Sequence, residues 1–158
     1  MNITVKGGIL IGVLCALLTF VMGFTGWYKD PAMMAVFYAV ILIQIGVLVW
    51  GLRKTAGEKA YVAQVGAGIL MSVIGGVIIM ASSMIFTTVA FPEYFEELRA
   101  VQMQMATAAG KSEAEAATEL EMAAQFQTPV FQAVFGFIGT LVTGTLASLI
   151  IAAFARKK

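Results

Sequence analysis

Residues 91–128 read FPEYFEELRAVQMQMATAAGKSEAEAATELEMAAQFQT, the one long stretch of the chain composed for water. On either side the chain is almost uncharged. No charged residue lies between Lys6 and Lys29, Asp30 and Arg53, Lys59 and Glu93, or Glu121 and Arg156. Each gap exceeds the ~20 apolar residues that carry a helix across the hydrocarbon core. Helices follow from these runs, because lipid satisfies no open sheet edge and the runs lack the alternation of barrel strands. A chain of 158 residues that is 60% hydrophobic and 12% charged also lies outside the soluble globular range. The expected fold class is all-α. A single domain over 1–158 forms a polytopic membrane protein with four transmembrane helices, at about 7–27, 32–52, 62–90 and 130–154. An extramembrane helical hairpin, 92–128, joins the third to the fourth.

Local signals mark where each helix starts and stops. Trp27 and Tyr28 close the first run at the depth where amphipathic rings favour the interface. Asp30 is placed to cap the second helix with Pro31 at its first position, making spans one and two an antiparallel hairpin. Phe91-Pro92 ends the third span, since the residue before proline is pushed out of helical geometry. Tyr94, Leu98, Val101, Met105 and Ala108 then recur at 4, 3, 4, 3 spacing, an apolar seam on a polar helix. Gly110 stops that helix, and Ser112 with Glu115 matches a capping box for the next. The second hairpin helix has a thinner stripe through Ala116, Leu120 and Ala123 or Ala124. Thr128-Pro129 repeats the capping device before the last span.

Small residues recur at four-residue intervals within the spans. Gly8, Gly12 and Ala16 share one face of the first, Gly68, Ser72 and Gly76 one face of the third. Gly136, Thr140, Gly144 and Ser148 do so in the fourth. Such faces let another helix approach closely, and the Gly75-Gly76 pair would also let a helix bend. Gln44 is the strongly polar member of the second span, and at mid-span it calls for a hydrogen bond to a neighbouring helix.

Charge sets the expected orientation. With both termini and the 53–59 turn cytoplasmic, that side holds Lys6, Arg53, Lys54, Lys59, Arg156, Lys157 and Lys158. The other side holds Lys29, Arg99 and Lys111, so the positive-inside bias favours this assignment. The hairpin then faces outward with Glu93, Glu96, Glu97, Glu113, Glu115, Glu119 and Glu121. In a bacterium this is the inner membrane with a periplasmic hairpin.

Several chemistries find no residues here. The chain has no histidine and one cysteine, Cys15, so the commonest zinc and haem ligand sets and an intrachain disulfide are absent. No oxygen-rich loop resembles a calcium site, no GK[ST] follows the glycines of the third span, and no nucleophile elbow occurs. No cofactor or metal is expected, and a net charge of +1 gives no support for nucleic-acid binding. No acidic or basic residue lies deep in a span, which weighs against coupled transport. An uncharged path through Gln44, Thr19, Thr140, Thr143 and Ser148 leaves a channel open as a reading.

Several pieces also carry a resemblance: the opening GGILIGVL, a basic turn before span three, FPEYFEEL after it, and the closing FGFIGTLVTGTLASLIIAAFARKK. In these the chain resembles a family of small four-span bacterial inner-membrane proteins, common in the Bacteroidota, catalogued as a domain of unknown function. The resemblance covers essentially the whole chain and implies four spans, a periplasmic excursion between the third and fourth, and no particular activity. The 53–59 turn is shorter than the resemblance implies. The leading expectation is a non-catalytic subunit or scaffold, not an enzyme, partnered by the bilayer and by other membrane subunits or its own copies. A homo-oligomeric channel or facilitator, and a sensor or binding module built on the hairpin, are the alternatives.

Overall fold

The computed structural model describes residues 1–57 and 60–155. Lys59 and the basic tail Arg156, Lys157 and Lys158, expected on the cytoplasmic side, lie outside the described residues. Among the described residues, four helices are long and apolar enough to cross a membrane: α1 (Ile3–Thr25), α2 (Pro31–Thr55), α3 (Tyr61–Ala90) and α6 (Pro129–Ala155). Between α3 and α6 stand the hairpin helices α4 (Tyr94–Ala108) and α5 (Glu113–Ala124). The protein is thus an all-α, multi-pass membrane protein. Its outer surface carries exposed Leu17, Phe24, Leu42, Val62, Leu146 and Phe154, an apolar coat suited to lipid.

The boundaries follow from capping chemistry. Asn2 starts α1 a turn before the expected 7–27 span, its Oδ1 accepting from Thr4 N at 3.2 Å. Gly26, at φ 71°, ends it in the left-handed conformation that glycine adopts without strain. Asp30 Oδ1 accepts from Ala32 N at 2.9 Å with Pro31 at the first helical turn. The residues Ala35–Tyr38 of α2 are wound as a 3-10 helix. At the far end of α3, Phe86–Ala90 widens into a π turn closed by Phe91 N donating to Phe86 O at 2.8 Å. Phe91 itself leaves helical geometry, at φ −137° and ψ 68°, as its place before Pro92 requires. Gly110, at φ 88°, turns the hairpin, and the Ser112–Glu115 capping box is fully formed.

The four spans pack in the ring order α1–α3–α6–α2. The α3–α6 and α1–α3 seams are the most extensive, α1–α2 and α2–α6 are looser, and α2 meets α3 only slightly. The expected small-residue faces lie along the two tight seams. A methyl group at Gly8 would stand 2.6 Å from Ile74 Cβ, and one at Gly12 would meet Ile78 at 2.5 Å. On α3, the Gly75-Gly76 pair serves two neighbours. Gly75 faces Ile11 of α1, and Gly76 faces the Phe137 ring of α6. Gly68 lies directly against Ser148, and Gly144 against Ser72. Such backbone proximity raises dispersion contact where lipid supplies no hydrophobic drive between helices. Between these seams Ile11, Cys15, Leu48 and Met71 form the buried core.

Candidate functional site

Two places in this frame gather polar groups and rings beyond the helix seams. The first is a cleft of about 260 Å³ between the hairpin-side halves of α2 and α6. Its α6 wall is Gln132, Phe135, Gly136, Gly139, Thr140 and Thr143, one helix face by their three- and four-residue spacing. Phe37, Tyr38, Val40, Ile41 and Gln44 of α2 stand opposite, with Cys15, Ala16 and Thr19 of α1 and Ile79, Ser82 and Ser83 of α3 behind. The volume exists because α6 presents glycine and threonine to a part of α2 that does not close on it. A methyl group at Gly139 would meet nothing within 4 Å, and one at Gly136 would just reach Ile79 Cγ2 at 3.4 Å.

Gln44 forms the floor. It is 4% exposed, and its Nε2 donates to the backbone carbonyl of Thr140 at 2.6 Å, joining α2 to α6. This supplies the partner the sequence demanded of a mid-span glutamine. Below it Leu48 and Met71 fill the bundle, with Val47, Ala147 and Ile151 packed on them. Three of the six cleft hydroxyls are turned to their own helices. Thr19 Oγ1 donates to Cys15 O at 3.0 Å, Ser82 Oγ to Ile79 O at 3.0 Å and Thr140 Oγ1 to Gly136 O at 2.8 Å.

Of the residues singled out for helix contact, Gly8, Gly12, Gly68, Ser72, Gly76, Gly144 and Ser148 lie inside the bundle. Ala16 and Gly136 are half-buried and border the cleft instead. Thr140 does both, at 9% exposure. The residues suggested for an uncharged path do not form one line. Gln44, Thr19, Thr140 and Thr143 share the cleft, but Ser148 is fully buried against Gly68 beneath it.

The second place is the hairpin root, where FPEYFEEL folds onto the ends of α1 and α3. Phe86 and Phe91 pack at a tilt with ring centroids 4.6 Å apart, Phe20 meets Phe86 at 5.5 Å, and Tyr94 meets Tyr28 at 5.1 Å and Phe86 at 5.2 Å. Aromatic pairs at these separations hold beyond their buried area. Glu97 adds a polar bolt. It accepts from the Tyr28 hydroxyl on Oε2 and from Lys29 Nζ at 2.6 Å on Oε1. The Lys29 and Tyr28 hydrogen bonds hold the Glu97 carboxyl below its ordinary range. Burial, then the Glu97 hydrogen bond, pushes the Tyr28 phenol up to about 12. Neither contact was legible beforehand, because the partners are 68 and 69 residues apart.

Beyond its root the hairpin stands on its own seam. Val101 and Ala116 are buried between α4 and α5, Tyr94, Leu98 and Leu120 are half-buried, and Met105 remains 43% exposed. Phe95, at 9% exposure, belongs to the root although the expected seam passed over it. Gln127 Nε2 donates to Gln102 Oε1 at 2.9 Å and ties the returning chain to α4. Met105, Ala106, Ala116, Glu119, Leu120 and Ala123 border a shallow groove along the pair. α5 packs on α4 and has no comparable contact with the spans.

A four-span helical bundle with a rooted extramembrane hairpin defines the class: a small multi-pass membrane protein. Residues 6–157 match the family described as "Protein of unknown function (DUF4199)", and the chain belongs to that family. No curated protein and no solved structure matches it.

Proposed function

We propose that the chain is a non-catalytic subunit of a bacterial cytoplasmic-membrane assembly, and that its hairpin is the arm that meets the partner. The observation that carries this reading is the mechanical asymmetry of the hairpin. Its root is fixed by an aromatic cluster and by Glu97, whereas α5 packs on α4 and has no comparable contact with the spans. At 15 residues α4 runs about 22 Å, and the arm carries a groove and a row of glutamates along that length. Seven of the ten small-face residues are taken up inside the bundle, which leaves the arm as the better candidate for external contact. The excess of lysine and arginine at the termini and the 53–59 turn supports a cytoplasmic location for those parts and a periplasmic one for the hairpin. A channel through one bundle is disfavoured by Ile11, Leu48 and Met71, which fill the interior below Gln44.

The test is co-purification after mild detergent extraction. The intact chain is expected to bring down a stoichiometric membrane partner. A chain with residues 100–124 replaced by a short polar linker keeps the root and should insert normally but lose that partner. Recovery of the intact chain alone, or unchanged association of the shortened one, overturns the reading.

A further inference from the structure

The cleft between α2 and α6 is independent of the hairpin's role, and its chemistry is specific enough to name a class of ligand. Its rim residues Phe37, Ile41 and Phe135 are 52%, 39% and 55% exposed on the apolar outer surface, so it opens sideways into the bilayer. Gln44 bonded to Thr140 closes it toward the bundle core, and Gln132 borders its end toward the hairpin root. A molecule already dissolved in lipid reaches such a space from the side. From Gln132 to Thr143 the wall extends about 16 Å along α6, close to one leaflet of a hydrocarbon core of about 30 Å. No charged side chain lines it, and at about 260 Å³ it is larger than the ~150 Å³ apolar cavity known to take up benzene.

The floor is what distinguishes it from a generic lipid crevice. Gln44 gives one N–H to Thr140 and still presents carboxamide hydrogen-bonding capacity at the bottom of an apolar space. Hydrocarbon cannot satisfy that group, and leaving it unsatisfied carries a desolvation penalty. A terminal hydroxyl both donates to the amide oxygen and accepts from the amide nitrogen.

We propose that the cleft binds an uncharged single-chain lipid alcohol, with its chain along α6 and its hydroxyl on Gln44.

The test uses the full-length protein in phosphatidylethanolamine–phosphatidylglycerol vesicles with two photoactivatable probes. One is a long-chain alcohol with a mid-chain diazirine; the other is the alkane of equal length with the same diazirine. The alcohol is expected to label peptides carrying Ala16, Ile79 and Thr143 about tenfold more than the alkane does, the ratio that one buried hydrogen bond supports. Gln44→Leu should remove that preference while leaving alkane labelling in place. Gly139→Phe should block both probes by filling the mouth, and this position has room for a side chain. Gly46→Phe, also in open space but outside the cleft, should change neither. Equal labelling by the two probes, or labelling in Gly139→Phe that matches Gly46→Phe, overturns the assignment.

Discussion

The two halves of the bundle are built from similar residues and end up differently. Away from the hairpin, Gly68, Ser72, Gly144 and Ser148 meet one another across α3 and α6, and α2 adds Leu48 to the same core. Toward the hairpin, α6 still presents Gly136, Gly139, Thr140 and Thr143, but the α2 segment opposite them leaves a cleft. Small residues bring helices together only where the neighbour can approach. Where it cannot, the same residues leave volume. The 3-10 winding at Ala35–Tyr38 falls at the open end of α2 and Gln44 at the point of closure.

The sharpest way to break this contrast is to enlarge one glycine in each half. Gly144→Leu drives a side chain into Ser72 and the Gln44 amide and is expected to cost about 3 kcal/mol, the upper range for overpacking. Denaturant titration in mixed micelles reads it. Gly139→Leu, at the cleft where an added Cβ meets nothing within 4 Å, should stay within about 0.5 kcal/mol of the parent. Gln44→Leu comes next. It removes the bond that closes the cleft and should cost about 1 kcal/mol in the same assay, as interhelical bonds in lipid do. Outside the membrane, Ser112→Ala deletes the cap of α5 and should lower its stability by about 1 kcal/mol. Faster amide exchange confined to Glu113–Ala124 would show it, and exchange spreading into the spans would contradict a hairpin that rests on its own seam.

The smallest effect expected is a pH dependence at the hairpin root. Glu97 is depressed below its ordinary 4.5, so its contribution is complete above that value and disappears as pH falls through the lowered pKa. Lys29 and Tyr28 are raised above 10.5 and 10.0, so their contributions hold below those values and disappear as pH rises through the raised ones. Trp27 fluorescence in a Trp50→Phe background should therefore be flat between about pH 5 and 9 and change on either side. Glu97→Gln should abolish the acid limb; an acid limb that survives that change would remove Glu97 from the root.

Much of this architecture was readable from residue order alone. Charge gaps mark spans because an unpaired charge in hydrocarbon is costly, and Asp30-Pro31, Phe91-Pro92, Ser112 and Thr128-Pro129 mark ends because capping is local chemistry. The stripes were equally visible, but a stripe does not say which helix it meets. Ala16 and Gly136 border a cleft while Gly12 and Gly144, on the same stripes, are in tight contact. Glu97 with Tyr28, and Gln44 with Thr140, were illegible as pairs because each joins residues 69 and 96 positions apart. Such contacts depend on ring order, which local patterns do not encode.

That small-residue faces are consumed within one chain is most directly tested by disulfide formation between α3 and α6. A Cβ at Gly136 would lie 3.4 Å from Ile79 Cγ2, so side chains at the two positions meet across the α3–α6 seam. In a Cys15→Ser background, the double substitution Ile79→Cys and Gly136→Cys, oxidised in native membranes, is expected to yield a cross-linked monomer. Cross-linking that yields dimers instead would turn the small-residue face outward and contradict the account.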